Sequence, residues 1–131
     1  MKIIYDLDTL KQELANRGSV AIVPTMGNIH DGHLSLVRLG KKYAETIVCT
    51  IFVNKLQFNE KADFDSYPRT LQTDFEKLEL GNTDIVFVPS GEMMYPVKQD
   101  FFVEVPAHIS CFLEGEFRGP FFSRVATIVL K

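Results

Sequence analysis

The sequence predicts an α/β fold built on a parallel sheet, and three observations carry that expectation. Two runs, Val20-Ala21-Ile22-Val23 and Thr46-Ile47-Val48-Cys49-Thr50-Ile51-Phe52-Val53, are nearly continuous in apolar and β-branched residues, as strands buried on both faces are. A helical pattern separates them, and strand, helix, strand at this spacing is a βαβ unit with a right-handed crossover expected. A third apolar run, Asp84-Ile85-Val86-Phe87-Val88-Pro89, follows a second helical pattern and repeats the arrangement.

Each element has its own justification. Ile3-Ile4 suits an edge strand or a short extended lead-in. Leu7, Leu10 and Leu14 recur at helical spacing over about 8–17, with Asp6 or Asp8 to cap the start and Gly18 to stop it. A helix over about 32–44 is expected to bury Leu34, Val37 and Leu36. The helix from about Leu71 to Leu80 has Thr70 as its N-cap, Asp74 and Glu76 near its positive end and Gly81 as its stop. Ser90–Pro96 reads as a short helical turn and Pro106–Cys111 as a short helix. Phe101-Phe102-Val103-Glu104-Val105 alternates as a further strand at a sheet edge would.

Composition sets the bounds. With 131 residues the chain has enough for one domain with its own core, and its 46% hydrophobic content argues against disorder. A net charge of −3 without any block of like charge gives no broad surface for nucleic acid or an anionic membrane. No apolar run reaches transmembrane length, and the N-terminus meets acidic residues too early for a signal peptide. Cys49 and Cys111 form no disulfide framework and read as small core residues, so a cytoplasmic location is expected.

The chemistry concentrates in Val23-Pro24-Thr25-Met26-Gly27-Asn28-Ile29-His30-Asp31-Gly32-His33. This stretch joins the first central strand to the next helix, the place where α/β folds hold nucleotide phosphates. With the helix starting at Asp31 or Gly32, both imidazoles project from a first turn whose unpaired N–H groups favour an anion. Gly32 has no Cβ, so a ligand can approach the backbone closely. Histidines there can donate hydrogen bonds to phosphate oxygens as charge develops. A bare His-x-x-His pair is more often structural. A zinc site is the weaker reading, because the third histidine and the cysteines do not stand at ligand spacing with the pair.

The run resembles the HxGH signature of the adenylyl-transferring superfamily that includes class I aminoacyl-tRNA synthetases. Its longer form, Pro24-Thr25-Met26-Gly27-Asn28-Ile29-His30-Asp31-Gly32-His33-Leu34-Ser35-Leu36-Val37, is similar to the pantoate–β-alanine ligase (pantothenate synthetase) family. Two further segments carry the same resemblance: Phe52-Val53-Asn54-Lys55-Leu56-Gln57-Phe58 and Asp63-Phe64-Asp65-Ser66-Tyr67-Pro68-Arg69-Thr70. These two argue against a different adenylyl transferase built on the same turn. Taken locally, Asn54 and Gln57 read as a polar loop. Tyr67 reads equally well as loop packing or as the mouth of a pocket.

The resemblance implies a Rossmann-like parallel sheet in which ATP, pantoate and β-alanine give pantothenate through a pantoyl adenylate. It implies ATP contacts at Pro24, Thr25, Met26, Gly27, His30, Gly32 and His33, with His30 and His33 stabilising the transition state. It implies pantoate contacts at Met26, Asn54, Gln57 and Arg118, with Tyr67 at the pocket mouth. Mg²⁺ would ride on the ATP phosphates rather than on a protein site, and a homodimer is expected.

Departures are local and global. Phe121 stands where the family has a histidine, and Arg124 where it has a glycine. The resemblance covers residues 1–131 as the first part of the family's nucleotide-binding domain; the family's later ATP signature and C-terminal lid domain are not among them. The alternative reading is a catalytically incompetent fragment that binds pantoate or associates with itself through apolar surface.

Overall fold

In a computed structural model the chain folds around four parallel strands; the residues described are 1–113, 115, 116 and 119–131. The strands are β1 (Lys2–Ile4), β2 (Val20–Thr25), β3 (Thr46–Ile51) and β4 (Ile85–Phe87), ordered β1-β4-β3-β2. All pairings are parallel, with Val23 opposite Cys49 and Cys49 opposite Val86 across the centre. The helices are α1 (Leu7–Leu14), α2 (Asp31–Gly40), α3 (Lys61–Ser66), α4 (Leu71–Leu80), α5 (Gly91–Met94), α6 (Ala107–Ser110) and α7 (Phe121–Leu130), and a 3₁₀ turn spans Lys55–Gln57. This is the mixed α/β architecture on a parallel sheet that the apolar runs predict.

Side-chain alternation along the strands divides the core in two. On one face Val23, Ile47, Cys49, Ile51 and Val86 pack with Val37 and Leu34 of α2 and with Leu78 and Phe75 of α4. On the other face Ile4, Val48, Ile85 and Phe87 meet Leu10 and Leu14 of α1 and Met93 of α5. β3 is therefore covered on both sides, as its unbroken apolar run requires. β2 sits at the sheet edge, which accommodates Pro24 opposite Thr50 because the missing N–H costs no ladder bond on an open side.

Several expectations need correction. Phe101–Val105 does not join the sheet. Its amides go to hydroxyls of α7 instead: Val103 N–H donates to Thr127 Oγ1 at 2.9 Å and Val105 N–H to Ser123 Oγ at 3.3 Å. Leu36 is exposed rather than buried, while Val37 is fully buried. Cys49 is a core residue as expected, but Cys111 is exposed, because it follows the short α6 outside both apolar clusters. Thr70 occupies the N-cap position of α4, but its hydroxyl does not cap; it donates to Asp74 Oδ2 at 3.1 Å. Helices α3 and α7 are additions to the expected elements. Segment α3 is too short and polar to show apolar periodicity, whereas in α7 Phe121, Phe122, Val125, Ile128 and Val129 recur at helical spacing, a signal the expected elements leave unused.

All four parallel strands deliver their C-terminal ends to one edge of the sheet, and the loops that leave three of them carry the polar residues. β2 runs into the Met26–His30 turn, β3 into Asn54 and Gln57, and β4 into α5 and Tyr95. Among the described residues no helix is long and apolar enough to cross a membrane.

Candidate active site

The turn between β2 and α2 is built by backbone requirements. Thr25 Oγ1 donates to Thr50 O at 2.7 Å and accepts from Gly27 N–H at 3.1 Å, closing the exit from the strand. Gly27 and Asn28 then take left-handed backbone, with φ of 83° and 52°. A Cβ on Gly27 would stand 3.0 Å from Asp74 Oδ2, so the position needs glycine on both conformational and steric grounds.

The two histidines start α2. His30 is the N-cap, and its Nδ1 accepts from Gly32 N–H at 3.1 Å; His33 Nδ1 accepts in turn from His30 N–H at 3.4 Å. The rings lie 4.0 Å apart between centroids. A backbone N–H can only donate, so both Nδ1 atoms act as acceptors and each neutral ring carries its proton on Nε2. The spacing thus produces a reciprocal capping pair with two outward N–H donors. Gly32 has a sharper reason than ligand approach: a Cβ there would meet His30 Cε1 at 2.8 Å. Burial holds the His33 imidazole below its ordinary value, the charge of His30 adds to this, and the Asp74 carboxylate opposes it.

The sequence marks Asp74 only as a helix-dipole residue, and its place in the fold is more consequential. It is 1% exposed. Its Oδ1 accepts from Ile29 N–H at 2.8 Å and its Oδ2 from Asn28 N–H at 3.0 Å. One turn along α4, Lys77 Nζ donates to Ile29 O at 2.6 Å. Helix α4 therefore grips the peptide units immediately before His30. A signal for this is present in the sequence: Asp74 falls on the same helical stripe as Leu71, Phe75 and Leu78, where a carboxylate is out of place unless paired.

Beside the histidine turn lies a crevice of about 650 Å³. Pro24, Thr25, Met26, His33, Gln57 and Tyr67 all line it, so six of the residues singled out in the sequence come together. His30 is exposed at the rim, outside this lining, and Gly27 lines a neighbouring cavity with Met26. Tyr67 combines both readings offered for it: its ring meets Phe58 edge-on at 5.4 Å and also walls the crevice. Burial, and then the Asp74 charge, raises its phenol.

Asn54 is fully buried and lines none of this space. Its Oδ1 accepts from Tyr95 Oη at 2.7 Å and from Leu56 N–H at 3.3 Å, and its Nδ2 donates to Gln57 Oε1 at 2.8 Å. Arg118 lies outside the described residues. Phe121, at the position of the expected histidine, lines a smaller cavity with Met26, Gln57 and Tyr67. Arg124 reaches Asn59 Oδ1 at 3.4 Å. The buried thiol of Cys49 is pushed up to about 12 by burial, which leaves it inert as a nucleophile. Among the described residues no three His, Cys, Asp or Glu side chains gather as a metal site.

Comparison with known proteins gives one consistent result. The family model for pantoate-beta-alanine ligase matches residues 2–131. Two crystal structures of pantothenate synthetase from Thermus thermophilus share 36% identity and superpose with a TM-score of 0.89, covering 99% of this chain and 47% of theirs. Pantoate-beta-alanine ligase from Francisella tularensis, crystallised with beta-gamma ATP and beta-alanine, shares 33% identity at a TM-score of 0.90, covering 99% of this chain and 51% of that one. The chain thus spans about half the length of the solved structures it matches.

Proposed function

Because the chain belongs to the pantoate-beta-alanine ligase family, we propose that it forms the N-terminal, ATP- and pantoate-binding part of an enzyme that condenses pantoate with β-alanine. The pantoate carboxylate attacks the α-phosphorus of ATP, the bond to the β-phosphate breaks, and pyrophosphate leaves. The amine of β-alanine then attacks the acyl carbon of the pantoyl adenylate and AMP departs. Adenylation is needed because a carboxylate has no good leaving group of its own.

The observation that carries this reading is the reciprocal capping of His30 and His33. It leaves two Nε2–H donors at a helix N-terminus, beside unpaired backbone N–H groups that already favour negative charge. Such donors suit phosphate oxygens that gain charge during transfer. They do not suit a general base, because the lone pair that would take a proton is engaged on the backbone. Met26, Pro24 and Thr25 wall the crevice beside His33, and Gln57 supplies amide hydrogen bonds to pantoate. Mg²⁺ arrives on the ATP phosphates and takes few ligands from the protein. A cytoplasmic setting is consistent with the free thiols of Cys49 and Cys111.

A second reading, a binding half without turnover, is favoured by Phe121, whose apolar ring stands where the family has a histidine. Pantoate-dependent exchange of pyrophosphate into ATP separates the two. Exchange is expected in this chain and is expected to fall at least about 100-fold in the His30→Ala, His33→Ala double variant, in line with loss of transition-state donors. Equal exchange in both would overturn the role given to the histidines. No exchange in the folded chain would favour the second reading.

A further inference from the structure

We propose that Tyr95, acting through Asn54, fixes the polarity of Gln57, so that the crevice offers amide donors to a carboxylate or hydroxyl oxygen of its ligand. The identity of that ligand rests on the function proposed above. The polarity does not.

One partner of the Asn54 amide has an unambiguous role. Leu56 N–H is a backbone donor and points at Asn54 at 3.3 Å, so that end of the Asn54 amide is oxygen. Tyr95 Oη reaches the same oxygen at 2.7 Å and must donate to it. The amide nitrogen of Asn54 is thereby turned toward Gln57, whose Oε1 accepts at 2.8 Å. With its oxygen engaged, Gln57 has Nε2 and its two N–H groups left for the crevice it lines. Free rotation would allow either end of Gln57 to face a ligand; this chain of bonds allows one.

Tyr95 is the stronger of the two anchors on Asn54, by its shorter distance and its hydroxyl donor. Asn54 is 1% exposed, so the bond lies where water competes least. Burial raises the Tyr95 phenol and so keeps its proton in place. The ring itself lines a different cavity, with Phe52, Gly91 and Glu92, and is absent from the lining of the crevice. Tyr95 is therefore a positioning residue. Its influence passes through one buried amide to another.

Two variants of the 131-residue chain test this. Tyr95→Phe removes only the hydroxyl. In ligand-free protein the side-chain amide NMR signals of Asn54 and Gln57 are expected to shift and to exchange faster with water. The dissociation constant for pantoate is expected to rise about 3- to 10-fold, the worth of one neutral hydrogen bond, with that for ATP unchanged. Gln57→Glu keeps an oxygen for Asn54 but replaces the donors with an acceptor; pantoate binding is expected to fall more than about 10-fold, since an unpaired acceptor then faces an anion. A purely structural Tyr95 would lower the melting temperature and leave both amide signals and the pantoate constant in place, which overturns the proposal. Undiminished pantoate binding by Gln57→Glu overturns it as well. Should the unaltered chain bind no pantoate, the functional reading fails, and the amide signals of Tyr95→Phe still decide the positioning role.

Discussion

At the scale of single residues, His33 ties chemistry to stability. Its folded imidazole is held below the ordinary value, first by burial, then by the His30 charge, against the pull of Asp74. A depressed histidine favours the neutral form in the fold. Its contribution is therefore complete above the unfolded value of about 6.5 and is lost as the pH falls through the lower folded value. Protonation would also place hydrogen on Nδ1, which accepts the His30 amide. Urea unfolding is thus expected to lose stability on acidification below about pH 6.5 more steeply in the natural chain than in His33→Asn. Asparagine keeps an acceptor near the Nδ1 position and cannot titrate. Parallel curves for the two proteins would remove His33 as the cause. The histidine pair is legible in the sequence through its spacing and its position after a strand. The tautomer is not, because it depends on which backbone N–H groups the rings reach.

Among the elements, α4 matters more than its modest amphipathicity suggests, because it holds another element's loop. Asp74 and Lys77 bind both the amide and the carbonyl of Ile29. Replacing Asp74 with alanine leaves the Asn28 and Ile29 amides without their acceptor, and is expected to cost about 2–4 kcal/mol in urea denaturation, from roughly 1–3 kcal/mol for each unsatisfied group with partial relaxation. Amide exchange at Asn28 and Ile29 should rise with it, while Val48 and Cys49 in β3 keep their protection. An unchanged loop would mean that Gly27 and Asn28 hold their conformation unaided. The bounds of α4 coincide with those read from periodicity and Gly81, since both signals are local. The fate of Phe101–Val105 is not legible in the same way: alternation reports which residues face a neighbour, not whether that neighbour is a strand. Here the amides find Thr127 and Ser123, residues 24 and 18 positions away.

For the whole molecule, coverage of the sheet is unequal. Helices α2 and α4 close one face, while the other is shielded by α1 and α5 over β1, β4 and β3. β2 is left with Val20 43% and Ile22 57% exposed at an open edge. The apolar run in β2 suggests burial on both sides; which strand lies at the edge is set by strand order, and strand order is not written in any one run. Exposed apolar surface beside an unpaired edge promotes association. Sedimentation of the chain is expected to show concentration-dependent assembly that Ile22→Lys reduces. Assembly unaffected by that charge would assign the contact to another surface.

The reciprocal histidine caps have one more consequence, and it concerns motion. Helix ends fray, and each opening of the first turn of α2 releases Nδ1 of both rings and lets them turn freely. The ordering of the helix end and the aim of the two donors are thus a single equilibrium. An anion held by Nε2 must, by linkage, lower the population of the open end by the same factor by which opening weakens the anion's hold. The lifetime of the Gly32 amide against exchange is then a clock for occupancy, readable without following any reaction.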